Sequence, residues 1–116
     1  MSTQKWSDEI TVVELGDDPL FTDELVNLLD RFDDDPADIV LNLAAVSFIN
    51  SSNVARLLRL RKQAMAANRR LLLCGVNTQV WGIFLVTGLD KIFGFTNDIS
   101  TALATLQMKE SQQTER

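Results

Sequence analysis

The chain is predicted to fold as a single α/β domain: a small, mixed but mostly parallel sheet with four helices. Three observations carry that expectation. Short apolar runs of strand length alternate with amphipathic stretches of helix length, strand then helix, four times over. Two of the runs, Ile39–Leu43 and Leu71–Cys74, are nearly continuous in apolar residues, as central strands covered on both faces must be. Finally, 116 residues with no internal repeat and no long linker make one domain. Residues 1–107 are assigned to it, and 108–116 to a polar, aperiodic tail expected to be disordered.

The first clear strand is Ile10–Leu15, rich in β-branched residues. Any earlier strand, between Gln4 and Asp8, would be short. Gly16-Asp17-Asp18-Pro19 reads as a turn. The first helix follows, with Thr22 as expected N-cap and Asp23 and Glu24 in the first turn, where negative charge is favourable. Leu25, Leu28, Leu29 and Phe32 give it an apolar face, and Asp33-Asp34-Asp35-Pro36 ends it. Those three carboxylates lack the glycine and closing Glu of a calcium loop, so they read as a solvated linker rather than a metal site.

After Ile39–Leu43, the run Val46–Ile49 carries the chain into Asn50-Ser51-Ser52-Asn53. A second helix is expected from about Ser52 to Ala67, with Ser52 as N-cap. Val54, Leu57, Leu58, Ala64 and Met65 are assigned to its apolar face. Arg61 snorkels at the edge of that face, and Arg56, Arg59, Lys62 and Gln63 point to solvent or a partner. Asn68, which tolerates left-handed geometry, marks the stop.

Leu71–Cys74 is the next strand, with Cys74 as inert filler. The third helix spans Thr78 to Val86, capped by Asn77 or Thr78 and stopped at Gly88. With Val80, Ile83 and Phe84 inward, Trp81 and Leu85 fall side by side on the other flank. That pair is a candidate surface for a partner or a second copy of the chain, because Trp is enriched at binding hot spots. Ile92–Phe95 is a last short strand. Asn97 or Asp98 caps a fourth helix that turns Ile99, Leu103 and Leu106 inward.

Composition narrows the function. With no histidine, no glycine-rich phosphate loop and no Gly-x-Ser-x-Gly elbow, the chain is not expected to be an enzyme, nor to carry a cofactor or metal. A net charge of −5 argues against nucleic-acid binding. No apolar run approaches the ~20 residues of a membrane span. Met1–Trp6 lacks the apolar core of a signal peptide, and one cysteine cannot form an internal disulfide, so a cytoplasmic location is expected. The charge is segregated: residues 1–50 hold twelve acids and two bases, while residues 56–70 hold six bases and no acid.

The run Phe48-Ile49-Asn50-Ser51-Ser52-Asn53-Val54, after an apolar strand and before a basic amphipathic helix, resembles the phosphoacceptor turn of STAS domains, above all of bacterial anti-sigma-factor antagonists. Thr87-Gly88-Leu89-Asp90-Lys91-Ile92-Phe93 resembles a later segment of the same family, and the likeness spans about Ile10 to Leu106. Asn50 stands where the family has Asp, and Asn53 where it has Gly. The resemblance implies a mixed sheet with helices on one side. It also implies a partner-switching protein that binds an anti-sigma factor, itself a serine kinase, and is switched off when that kinase phosphorylates it. By the same resemblance the acceptor is Ser51, with Ser52 as the alternative. Asn50, Ser51, Ser52, Asn53 and Arg56, together with Trp81 and Leu85, are the candidate partner-binding residues. Two alternatives stay open: the serines only cap the helix, or the domain is an unphosphorylated docking subunit of a transporter or signalling assembly.

Overall fold

The computed structural model describes residues 3–115, with side chains through Met108. The order is β1 (Thr3–Lys5), β2 (Ile10–Gly16), α1 (Leu20–Phe32), β3 (Asp38–Ala45), α2 (Ser51–Ala66), β4 (Leu71–Cys74), α3 (Thr78–Thr87), a 3-10 turn (Leu89–Lys91), β5 (Gly94–Thr96) and α4 (Ile99–Glu115). The sheet runs β1-β2-β3-β4-β5. β1 is antiparallel to β2, and every later pairing is parallel. The expected α/β fold with four helices is therefore the observed one, and Ile39–Leu43 and Leu71–Cys74 both lie inside the sheet. No helix among the described residues is long and apolar enough to cross a membrane.

Alternation along the strands splits the core in two. Val13, Leu15, Ile39, Leu41, Leu43 and Leu73 face α1, α2 and α3, where they meet Phe21, Leu25, Leu57, Leu60, Val80 and Phe84. Ile10, Val12, Val40, Leu72 and Cys74 face the other way, against Ala102 and Leu106 of α4. Helices thus cover both faces, three and one, where the resemblance implied one side only. Each inner strand carries apolar residues on both faces, so a single helical layer would leave Val40 and Leu72 in water. Burial pushes the Cys74 thiol up to about 11, consistent with filler rather than a reactive thiol.

Several boundaries differ from expectation, each for a local reason. α1 begins two residues before Thr22, with Pro19 at its N-cap and Leu20 as its first residue. Asp18 Oδ1 accepts from the Thr22 N–H (2.9 Å) and hydroxyl (2.6 Å), so Thr22 donates in the first turn instead of capping. β5 starts at Gly94 because Phe93 belongs to the turn before it, edge-on to Phe84 at 6.2 Å. In α2 the buried stripe is Asn53, Leu57, Leu60 and Ala64, whereas Leu58 and Met65 are exposed. Residues 108–115, set apart above as a tail, continue α4 in a stretch rich in helix-favouring Gln, Lys, Glu and Met; Arg116 lies outside the described residues.

Other punctuation lies where the residues put it. Asn68 is left-handed (φ 59°), as is Gly88 (φ 77°) at the end of α3. Asn77 Oδ1 accepts from Val80 N–H at 2.9 Å and Asp98 Oδ1 from Thr101 N–H at 2.8 Å, each a helix cap. Buried Asp38 takes the Arg70 N–H (2.8 Å) and faces Arg69 Nε at 3.3 Å, which pins the start of β3 to that of β4.

The packing of α2 can be checked by truncation. Leu60→Ala should cost about 2–5 kcal/mol, as for other buried leucines. Met65→Ala, on the exposed side, should stay within about 0.5 kcal/mol. Urea unfolding monitored by circular dichroism separates the two; equal losses would mean a different face of α2 is buried.

Candidate functional site

β3 ends at Ala45, and the chain reaches α2 through five residues. Val46 and Ile49 are buried and hold this loop down, while Ser47 and Phe48 are exposed, Phe48 by 63%. Asn50 has extended backbone and is the N-cap of α2. Its Oδ1 accepts the Asn53 N–H at 2.8 Å, and Asn53 Oδ1 accepts the Asn50 N–H at 3.0 Å. This reciprocal capping box satisfies two otherwise orphaned donors. The cap is therefore Asn50, not Ser52: the Asn50 amide oxygen reaches forward to the Asn53 N–H, and Ser52 already lies inside the helix.

The box is anchored from outside. Asp18 Oδ2, in the turn between β2 and α1, accepts from Asn53 Nδ2 at 3.2 Å and Asn50 Nδ2 at 3.5 Å. Its neighbour Asp17 accepts the Ser47 N–H at 2.8 Å and the Ser47 hydroxyl. The two loops are clasped by adjacent carboxylates, each held below the usual Asp range. For Asp17 the chief cause is the Ser47 hydroxyl, and for Asp18 the Thr22 hydroxyl. Both of this chain's departures from the family turn then have a physical reading. An Asp at 50 would set a second carboxylate against Asp18, and a Gly at 53 would remove both the reciprocal bond and the shorter of the two Asp18 contacts.

Relieved of capping, Ser51 and Ser52 are the first two residues of α2, and both are exposed. Neither hydroxyl makes a hydrogen bond among the described residues. They sit where helical geometry leaves backbone N–H groups without intrahelical partners, an end that favours anions. Arg56, one turn on and half-buried, donates from Nη1 to the Ser52 carbonyl at 3.4 Å. Asn53, by contrast, is 2% exposed, so its side chain supports the turn from beneath and offers no contact surface.

Trp81 and Leu85 do not join this cluster. Trp81 is half-buried, edge-on to Phe95 with ring centroids 5.0 Å apart. The exposed apolar pair on α3 is Leu85 and Val86, 51% and 88% accessible. The link between α3 and the turn is Asn77, whose Nδ2 donates to the Val46 carbonyl at 2.6 Å. Sequence reasoning missed the roles of Asp17, Asp18 and Ser47. The acidic pair was visible as a turn signal, but its partners in the turn before α2 lie 30 and more residues away in the chain.

Residues 4–102 match the STAS domain family. In three dimensions the chain is similar to the Thermotoga maritima protein TM1081, at 19% identity and a TM-score of 0.79 over 92% of this chain and 89% of that one. It is similar to Bacillus SpoIIAA in its phosphorylated form, at 18% identity and a TM-score of 0.70 over 90% and 96%. SpoIIAA is an anti-sigma factor antagonist also solved unphosphorylated. A sulfate transporter family protein from Wolinella succinogenes is similar too, at 22% identity and a TM-score of 0.70 over 86% and 84%. At these identities the likeness shows a shared fold.

Two measurements test the clasp. Asn50→Ala should cost about 0.5–2 kcal/mol through loss of the cap, and Ser52→Ala should be close to neutral. The reverse order would return the cap to Ser52. Asp18→Asn tests the pH dependence. A folded-state pKa held low contributes stability that is present above the unfolded value, ordinarily 3.8, and lost as pH falls through the folded one. The gap between wild type and Asp18→Asn should therefore be fully open at neutral pH and close below about pH 3.8. A gap unchanged in acid would show that the Asp18 charge is not involved.

Proposed function

The chain belongs to the STAS domain family, and from that premise we propose that it is an anti-sigma-factor antagonist, switched off by phosphorylation of Ser51 or, failing that, of Ser52. In this reading it binds an anti-sigma factor that is also a serine kinase, in the cytoplasm. The observation that carries the proposal is the pair of exposed serine hydroxyls at the start of α2, which the Asn50–Asn53 cap leaves free. A hydroxyl that holds up a helix is costly to modify, and these two hold up nothing.

The mechanism follows from charge. A phosphate adds ~1.5–2 negative charges and three acceptor oxygens. The helix start and the Arg56 guanidinium favour it, and the Asp17 and Asp18 carboxylates oppose it. In the free protein these terms act at an open, water-screened rim. Against a docked partner the same charge must be desolvated beside two carboxylates, and the complex comes apart. Exposed Phe48, two residues before the cap, offers the apolar part of such a contact. The kinase supplies its own base, so none is required beside the serine.

The second reading is a docking subunit with no phosphate cycle. It is favoured by the likeness to the sulfate transporter family protein.

Incubation with a purified cognate kinase and ATP, followed by mass spectrometry, should place one phosphate on Ser51 or Ser52. Ser51→Asp should change stability by less than about 1 kcal/mol. It should weaken partner binding at least about tenfold, equivalent to ~1.4 kcal/mol. Ser51→Ala should bind and resist modification, and a phosphate that persists in Ser51→Ala assigns the switch to Ser52. No phosphate on either residue, with binding unaffected by Asp at both, would favour the docking subunit.

A further inference from the structure

The segregated charges noted in the sequence become two neighbouring rows in the fold. α1 and α2 lie side by side on the same face of the sheet, since Gln63 of α2 donates to the Leu29 carbonyl of α1 and both helices pack on one core. They run in the same direction, because each links one parallel strand to the next. The outward row of α1 carries Asp23 and Asp30, and that of α2 carries Arg59 and Lys62, all exposed. Among the described residues, none of these four enters an ion pair within the chain; the three pairs present are Lys5–Asp35, Arg69–Glu9 and Arg69–Asp38. An acidic and a basic row therefore face solvent next to one another. Val26, 40% accessible, lies on α1 beside them, and exposed Ala55 and Ala66 leave the outer face of α2 shallow.

We propose that this layer is a self-complementary surface on which two copies of the chain form a symmetric dimer, α1 of each against α2 of the other. Symmetry fixes the arrangement. A two-fold axis running along the α1–α2 groove, parallel to both helices, carries each α1 onto the far side of the other copy's α2. The acidic row of one copy then meets the basic row of its partner, twice. The alternative axis, perpendicular to the helices, would set acid on acid and base on base. Charge complementarity thus selects both the occupant, a second copy, and its orientation. This surface is separate from the Trp81 and Leu85 flank, and the inference does not depend on the function proposed above.

Sedimentation equilibrium of the full chain tests it. At low ionic strength the protein should approach twice its 13.0 kDa mass at high concentration and return to the monomer as salt rises, because the contacts are exposed ion pairs. Asp23→Lys with Asp30→Lys should be monomeric, and so should Arg59→Glu with Lys62→Glu. Mixed in equal amounts, the two variants should dimerise again, since each then meets an oppositely charged row at both contacts. All four positions are exposed, and circular dichroism checks that both variants fold. Four outcomes would overturn the proposal: a monomer at low salt, a dimer indifferent to both reversals, no rescue on mixing, or a dimer dispersed by Leu85→Ser instead.

Discussion

β3 is the strand that cannot be left uncovered. Ile39, Leu41 and Leu43 point to one side and Val40 to the other, all of them buried. At roughly 25 cal/mol per Å² of apolar surface, exposing the first three would cost several kcal/mol and exposing Val40 about 1.5–3, against a total stability of about 5–15. The sheet must therefore be sandwiched, and α4 supplies the face that α1–α3 do not. The same constraint positions the site. With β2, β3 and β4 parallel, the turns that follow them emerge at the same end of the sheet. That is why Asp17 and Asp18, Asn50 to Asn53, and Asn77 meet although they are far apart in sequence. Sites in parallel sheets commonly form beyond the carboxyl ends of the strands for this reason.

How much of this could be read from the residues depended on the range of the interaction. Strand and helix identities were legible, because periodicity and length are local properties. So were Asn68, Asn77, Gly88 and Asp98, whose roles need only a few neighbouring residues. β1 was not, because Thr3-Gln4-Lys5 has no apolar pattern and is a strand only through its pairing with β2. The face of α2 was read one stripe off. Leu57, Leu58 and Leu60 are all compatible with a helical period, and only the position of the sheet decides that Leu60 goes inside. The cap of α2 was misplaced because serine is a strong N-cap in isolation, and nothing local shows that Asn50 and Asn53 can bond each other while Asp18 holds both. At the candidate site, the serines and the turn were legible. The carboxylates that brace them were not, nor was the edge contact that half-buries Trp81 against Phe95, 14 residues later.

In the switch proposed above, a serine at this rim would carry a charge without harming the fold, and magnitudes say why. In water, two unit charges 4 Å apart interact by about 1 kcal/mol, comparable to the roughly 0.3–1 kcal/mol that a helix start returns to an anion. Each unit-charge repulsion from a nearby carboxylate is therefore of the same order as the attraction of the helix start while the turn is wet. At an effective dielectric constant near 20, the charge–charge term grows to about 4 kcal/mol. A partner that covers the turn changes the dielectric, and with it the balance. The cost of an added charge is then borne by the complex.

The clasp also bears on how this turn can change over evolutionary time. Asn50 and Asn53 bond each other, and both lean on the same Asp18 oxygen. Placing Asp at 50 alone sets a carboxylate against Asp18, and placing Gly at 53 alone leaves the Asn50 N–H without its acceptor. Each single change should therefore cost stability, while a joint change with position 18 need not. Residues coupled this tightly are not additive. The three positions form one energetic unit, so a substitution at any of them changes what the other two can tolerate.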